Sequence, residues 1–252
     1  MVKNKLVVAN WKMNHGHVKA ADWMKIFKGK ILPDNLEIGI AVPHVSLLAV
    51  SEHKGKMRHP WLGAQDVFWM EEGAFTGEIS PGMLKELAVH FCLVGHSERR
   101  KYFRETDAIV AKKAASLQKA GIIPMICFGE TLEQYESGKS LSVVKRQIRK
   151  AMSEMDFSNK IMPIFVYEPV WSIGTGKSCP VERVKEVHEE IRKVFKEKLG
   201  ENEAKILLMY GGSVNESNVA EYLKLSVVDG VLIGKASLDP VGFVALCQAA
   251  VH

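Results

Sequence analysis

The chain has 252 residues, 47% of them hydrophobic and 25% charged, with a formal net charge of +5. That length suits one large α/β domain or two small ones, and the composition excludes a disordered chain. Lysines alternate with glutamates, as in Lys185-Glu186 and Lys196-Glu197-Lys198, which describes solvated helix faces and argues against a nucleic-acid partner. No apolar stretch approaches the ~20 residues that span a bilayer, so no membrane is expected. Cys92, Cys127, Cys179 and Cys247 lie far apart and form no C-x-x-C pair, which leaves zinc and dithiol chemistry without support. The first apolar run, Leu6-Val7-Val8-Ala9, is too short for the core of a secretion signal. The expected location is the cytoplasm.

In chain order, short continuous apolar runs fall at residues 6–9, 38–42, 61–64, 92–95, 124–127, 164–166, 206–209 and 231–234. Continuous runs of this length predict strands buried on both faces, as in a parallel sheet. Longer amphipathic stretches separate them. Leu141, Val144, Ile148, Met152 and Met155 recur three or four apart, and Val184, Val187, Ile191, Val194 and Leu199 nearly so; each set reads as a helix with one buried stripe. Gly121 and Gly200 follow helical patterns and Pro180 stands where a helix starts. The third unit differs: Trp61-Leu62-Gly63-Ala64 is short, and residues 72–78 form a turn-rich excursion, the kind of loop that makes contacts.

Eight strand candidates, each followed by a helical candidate and with no linker between, predict a closed (β/α)8 barrel made as a single domain over residues 1–252. An open doubly wound sheet is the alternative. Barrels carry their chemistry at the C-terminal ends of the strands. Asn10 and Lys12 follow the first run, His96 the fourth, Glu168 the sixth, Gly211-Gly212-Ser213 the seventh, and Gly234-Lys235 closes the eighth. Each alone has an ordinary structural reading: an exposed lysine, a satisfied histidine, a strand-end carboxylate, a tight turn. Their shared barrel end makes the functional reading the stronger one.

Residues 167–177, Tyr-Glu-Pro-Val-Trp-Ser-Ile-Gly-Thr-Gly-Lys, join a carboxylate to a proline-stiffened, glycine-hinged segment, the pattern of a base beside a closing lid. A carboxylate suits removal of a proton from carbon next to a carbonyl, and exclusion of water raises its basicity. An imidazole N–H and an ammonium stabilise the oxygen charge that develops. The last two turns, with a helix expected to start near Ser237, offer backbone N–H groups to a phosphate. The chemistry this predicts is proton movement on a small phosphorylated carbonyl compound, with no metal and no organic cofactor.

Six segments then resemble one family in order along nearly the whole chain: Asn10-Trp11-Lys12-Met13-Asn14, Gly63-Ala64-Gln65-Asp66, Gly73-Ala74-Phe75-Thr76-Gly77-Glu78, Val94-Gly95-His96-Ser97-Glu98-Arg99-Arg100, residues 167–177, and Tyr210-Gly211-Gly212-Ser213-Val214. The family is the triosephosphate isomerases, with the TIM barrel as fold. The resemblance implies interconversion of dihydroxyacetone phosphate and glyceraldehyde 3-phosphate through an enediolate. It implies that Glu168 is the base, that His96 polarises the carbonyl, and that Lys12 stabilises negative charge. Asn10 would contact the substrate oxygens, Ser97 hold the base in an open form, and Glu98 position Lys12. Gly174, Ser213, Gly234 and Lys235 match backbone positions around the phosphate. It also implies a neutral His96 whose pKa is lowered by a helix N-terminus, and a homodimer through the loop Gly73 to Glu78, with Thr76 at the tip and a Glu78–Arg99 pair between subunits; a tetramer stays open.

Three positions depart from the family's pattern. Lys235 replaces a glycine, which would be strained if the backbone there needed a positive φ; the expectation is that it does not. His15 and Ser172 replace Gly and Ala. The competing readings are another cofactor-free sugar-phosphate isomerase or epimerase, an aldolase on the same barrel, and a non-catalytic member of the family. A metal-dependent epimerase would show His and Asp ligands at several strand ends, and a Schiff-base aldolase a lysine within a late strand. A non-catalytic member would have lost Lys12, His96 or Glu168, and all three are present.

Overall fold

The computed structural model describes residues 4–173 and 178–251. Eight strands, β1 (Lys5–Asn10), β2 (Leu36–Val42), β3 (Trp61–Ala64), β4 (Phe91–Val94), β5 (Ile123–Phe128), β6 (Ile164–Tyr167), β7 (Leu207–Tyr210) and β8 (Gly230–Ile233), pair in parallel with their sequence neighbours, and β8 closes on β1. The closed barrel is the predicted one, and the open sheet is excluded. Around it run α1 (His17–Lys28), α2 (His44–Lys54), α3 (Pro81–Glu86), α4 (Ser97–Phe103), α5 (Asp107–Ala120), α6 (Leu132–Glu136), α7 (Ser140–Met152), α8 (Val181–Leu199), α9 (Val219–Leu223) and α10 (Pro240–Ala249).

Alternate residues of one strand face opposite ways, and both directions are apolar here. Val7 and Ala9 join the layer between barrel and helices, while Leu6 and Val8 join a separate interior cluster with Leu93, Met125, Val166 and Met209. Phe91 fills much of that interior because two neighbours lack side chains. A Cβ on Gly63 would lie 2.2 Å from the Phe91 ring and one on Gly39 3.0 Å from it.

The helices stop and start largely where the sequence indicates. Pro180 is the N-cap of α8, and Gly121 and Gly200 cap α5 and α8 with φ of 82° and 57°, which glycine adopts at little cost. Met155 lies beyond the end of α7 and packs on the core from outside it. The third unit has its excursion and then the short α3. At the base of the excursion Phe68 stacks on Trp69 and packs on Phe75, and the Phe68 N–H donates to the Ile79 carbonyl at 2.8 Å. One expectation is corrected. No α-helix starts near Ser237; a 3-10 turn covers Lys235–Ser237, and α10 begins at Pro240 with Asp239 accepting the Gly242 N–H. Proline at the first helical position sets that start.

Candidate active site

Asn10, Lys12, His96, Glu168, Ser213, Gly234 and Lys235, drawn from five different strand ends, line one cavity of about 960 Å3 at the C-terminal mouth of the barrel. Ser97 and Glu98 stand behind it, against Glu168 and Lys12. Gly174 lies outside the described residues.

His96 owes its position to the turn out of β4. Gly95 has φ 73°, and a Cβ there would come within 2.9 Å of Arg100, the Cys127 carbonyl and Val110, so only glycine fits. His96 then caps α4, its Nδ1 accepting the Glu98 N–H at 3.3 Å. A ring nitrogen that accepts keeps its lone pair, so Nε2 carries the hydrogen of the neutral ring. That Nε2 lies 3.2 Å from Glu168 Oε1.

Glu168 is 2% exposed, and the Ser97 N–H donates to its Oε2 at 3.1 Å. Burial alone would raise its pKa, but His96, the Ser97 N–H and Lys12 together hold it below the usual carboxylate range. For His96, burial pulls down, but the Glu168 charge, the hydrogen bond to it and the Glu98 charge together pull up further, and the pKa is raised. This reverses the lowered pKa that the family resemblance implies. The cause is the base itself, which in this arrangement rests against the imidazole.

Lys12 holds φ 52°, a left-handed conformation that costs a non-glycine residue about 1–3 kcal/mol and persists where surroundings over-determine it. Here its N–H donates to Asn10 Oδ1 at 3.0 Å, its carbonyl accepts from Gln65 Nε2 at 3.0 Å, and its Nζ meets Glu98 Oε1 at 2.6 Å. Gln65 also donates to the Ala41 carbonyl at 3.1 Å. Sequence reasoning quoted Gln65 within a motif and gave it no role; its long-range partners are not readable from spacing.

The seventh-strand glycines serve space more than conformation, since neither has a positive φ. A Cβ on Gly211 would lie 3.0 Å from Glu168 Cγ, and one on Gly212 2.0 Å from the Tyr210 hydroxyl. Ser213 donates its hydroxyl to the Ser172 carbonyl at 2.6 Å, and the added hydroxyl of Ser172 is buried and donates to the Pro169 carbonyl at 3.0 Å. Lys235 is exposed and free of positive φ, as expected. His15 has φ 59°, where the family's glycine would be at ease, and its Nε2 lies 2.9 Å from the Leu238 carbonyl. Glu130, unremarked in the sequence, is fully buried and accepts from the Tyr167 hydroxyl at 3.0 Å and from Trp171 Nε1 at 3.1 Å.

A closed parallel barrel with a buried carboxylate–imidazole pair and a braced lysine at its mouth is a (β/α)8-barrel enzyme built for proton transfer. The comparisons with known proteins narrow this. The family model "Triosephosphate isomerase" matches residues 5–250. The chain is 39% identical to triosephosphate isomerase of Endomicrobium trichonymphae over 248 residues, 98% of this chain and 99% of that one. It is 38% identical to the Moorella thermoacetica enzyme over 245 residues, 97% of this chain and 98% of that one. The crystal structure of triosephosphate isomerase from Bartonella henselae superposes with a TM-score of 0.86 at 34% identity, covering 99% of this chain and 100% of that one. The chain belongs to the triosephosphate isomerase family. Its reaction is the interconversion of dihydroxyacetone phosphate and D-glyceraldehyde 3-phosphate, a step of glycolysis.

Proposed function

We propose that this interconversion is carried by Glu168 as the base and His96 as the electrophile, with Lys12 as the counter-charge, acting through an enediolate. Glu168 takes a proton from C1 of the ketone, the C1–H electron pair becomes the C1–C2 double bond, and the C2 carbonyl oxygen takes up negative charge. His96 Nε2–H and the Lys12 ammonium face that oxygen. Glu168 then returns the proton to C2, and His96 moves the hydroxyl proton between the two oxygens. Asn10 contacts the substrate oxygens, and the N–H groups of Ser213, Gly234 and Lys235 surround the phosphate.

The single observation that carries this reading is the 3.2 Å contact between His96 Nε2 and Glu168 Oε1 at the cavity wall. Substrate placed between the two groups ends that contact. Burial is then opposed less, which moves the carboxylate pKa up and that of the imidazole down. Both changes are in the direction the chemistry needs, a stronger base and a neutral donor. Ser97 holds the carboxylate until then, and Glu98 holds Lys12.

The chain works as one catalytic domain, in the cytoplasm, and as a homodimer through the loop Gly73 to Glu78. Residues 71–78 are all exposed in the single chain, which supports a partner over them. Arg99 already binds Asp66 at 2.7 Å and Glu105 at 2.8 Å in its own chain, so a pair with Glu78 across subunits would share it.

The test is Glu168→Gln. The expected loss in kcat is about 10²–10⁴-fold, the usual range for a positioned acid or base, with substrate affinity largely kept. An unchanged kcat would remove Glu168 from this role. Shortening the loop around Thr76 should give a monomer of low activity in sedimentation and rate measurements; a monomer with full kcat would end the proposed link between assembly and catalysis.

A further inference from the structure

Gln147 lies on the inward face of α7, among Val143, Val144, Ile148 and Ala151, and is only 8% exposed. An amide in such a place needs a donor for its oxygen and an acceptor for its nitrogen, or it costs about 1–3 kcal/mol per unmet group. Gln147 meets both needs on one residue. Its Oε1 accepts the Gly129 N–H at 2.9 Å, and its Nε2 donates to the Gly129 carbonyl at 3.3 Å.

Gly129 is the first residue past β5, and it presses on the residue that follows β6. A Cβ on Gly129 would fall 1.8 Å from the Glu168 carbonyl oxygen and 3.3 Å from its Cα. No positive φ requires glycine there; the close approach does. The backbone bonds of this region run the same way. The Glu168 N–H donates to the Phe128 carbonyl at 2.7 Å, and the Val170 N–H donates to the Glu130 carbonyl at 3.1 Å. The carbonyls on either side of Gly129 thus hold the N–H groups on either side of Pro169. Gly129 is the middle of this splint, and Gln147 takes up both of its polar groups.

We propose that Gln147 is a positioning residue for the base: it fixes the Phe128–Gly129–Glu130 backbone, which in turn sets where the Glu168 carboxylate stands. The inference rests on Glu168 being the base. A displacement of about 1 Å in a reacting group can cost about 10²-fold in rate, so the effect belongs in kcat. Substrate affinity, which depends on the phosphate turns across the cavity, should be little changed.

The experiment compares Gln147→Met, which keeps the volume and loses both bonds, with Gln147→Glu, which keeps the acceptor and donates only when protonated. Glu168→Gln serves as the reference. For Gln147→Met the expected kcat is lower by about 10- to 100-fold, with KM and the inhibition constant of inorganic phosphate within about twofold of the parent. For Gln147→Glu, the ratio of its kcat to the parent's at the same pH should rise as pH falls, because the protonated carboxyl restores the bond to the Gly129 carbonyl. A Gln147→Met kcat within twofold of the parent, or a loss that falls on KM and phosphate inhibition as heavily as on kcat, overturns the proposal. Should Gln147→Met fail to fold, a pH-independent ratio for Gln147→Glu overturns it equally. Full activity in Glu168→Gln would instead overturn the assignment of the base.

Discussion

Lys12 Nζ lies 2.6 Å from Glu98 Oε1, an ion pair that joins the turn after β1 to the first turn of α4. Both side chains are partly exposed, 29% and 42%. Pairs of that kind contribute about 0–1 kcal/mol to stability, so the pair's importance lies in where it aims the ammonium.

Glu98→Gln should therefore separate the two effects. The amide oxygen still accepts from Lys12, but the charge that holds it is gone. The expected result is a kcat/KM about tenfold lower, which corresponds to about 1.4 kcal/mol of transition-state stabilisation, with an unfolding midpoint close to the parent's. A large fall in stability with unchanged kcat/KM would reverse the assignment.

Gly212→Ala tests the spatial reading of the seventh-strand turn. The new methyl would sit 2.0 Å from the Tyr210 hydroxyl and 2.8 Å from Ser172 Oγ. The Tyr210 hydroxyl accepts the Cys179 N–H at 3.2 Å and has little freedom to yield. Overpacking of this sort costs about 1–3 kcal/mol, readable in urea unfolding. Gly16→Ala, with nothing within 4 Å of the new atom, is the clash-free comparison; as the N-cap of α1 it should lose about 1 kcal/mol or less, the usual penalty of alanine at that position.

His188 is fully buried on α8, donates through Nδ1 to the Val184 carbonyl at 2.8 Å, and packs edge-on to Tyr167. Burial lowers its pKa from 6.5 to about 3. Between those values the unfolded chain binds a proton that the folded chain refuses. Its contribution is thus complete above the unfolded pKa near 6.5 and is lost as pH falls toward 3, with a slope of at most about 1.4 kcal/mol per pH unit. Unfolding free energies measured from pH 7.5 to 5 should fall less steeply in His188→Gln than in the parent. Equal slopes would show that other groups carry the acid sensitivity.

Lys235→Gly should leave KM within about twofold, because the backbone at Lys235 has no positive φ for a glycine to relieve. Much tighter substrate binding in the variant would mean that the lysine does strain the phosphate turn.

The strands were legible because both faces of a barrel strand are apolar, so each appeared as an unbroken run; only their ends moved, as at β4, which starts at Phe91 and leaves Gly95 to the turn. The residues at the mouth were legible from their place after those runs and from motif order. Gln147 was not, since a glutamine in the pattern of α7 reads as part of the wet face until the fold brings Gly129 beneath it. Gly129 itself carried no signal, because closeness to Glu168 is a property of two strands far apart in sequence. The raised pKa of His96 was equally hidden, as it depends on where a carboxylate 72 positions away rests. The start of α10 is written in Asp239-Pro240, an acceptor at the N-cap before a proline at the first helical position; the turn at Lys235–Ser237 before it is 3-10.

Phe91, set against Gly39 and Gly63, makes the inside of the barrel solid. Traffic through the enzyme therefore has one doorway. Both trioses enter and leave by the mouth where the cavity opens, and neither can depart through the far end while the other arrives. The two must compete for the free enzyme in either direction of flow, so accumulation of one triose slows consumption of the other by occupying the site as well as by driving the reverse reaction.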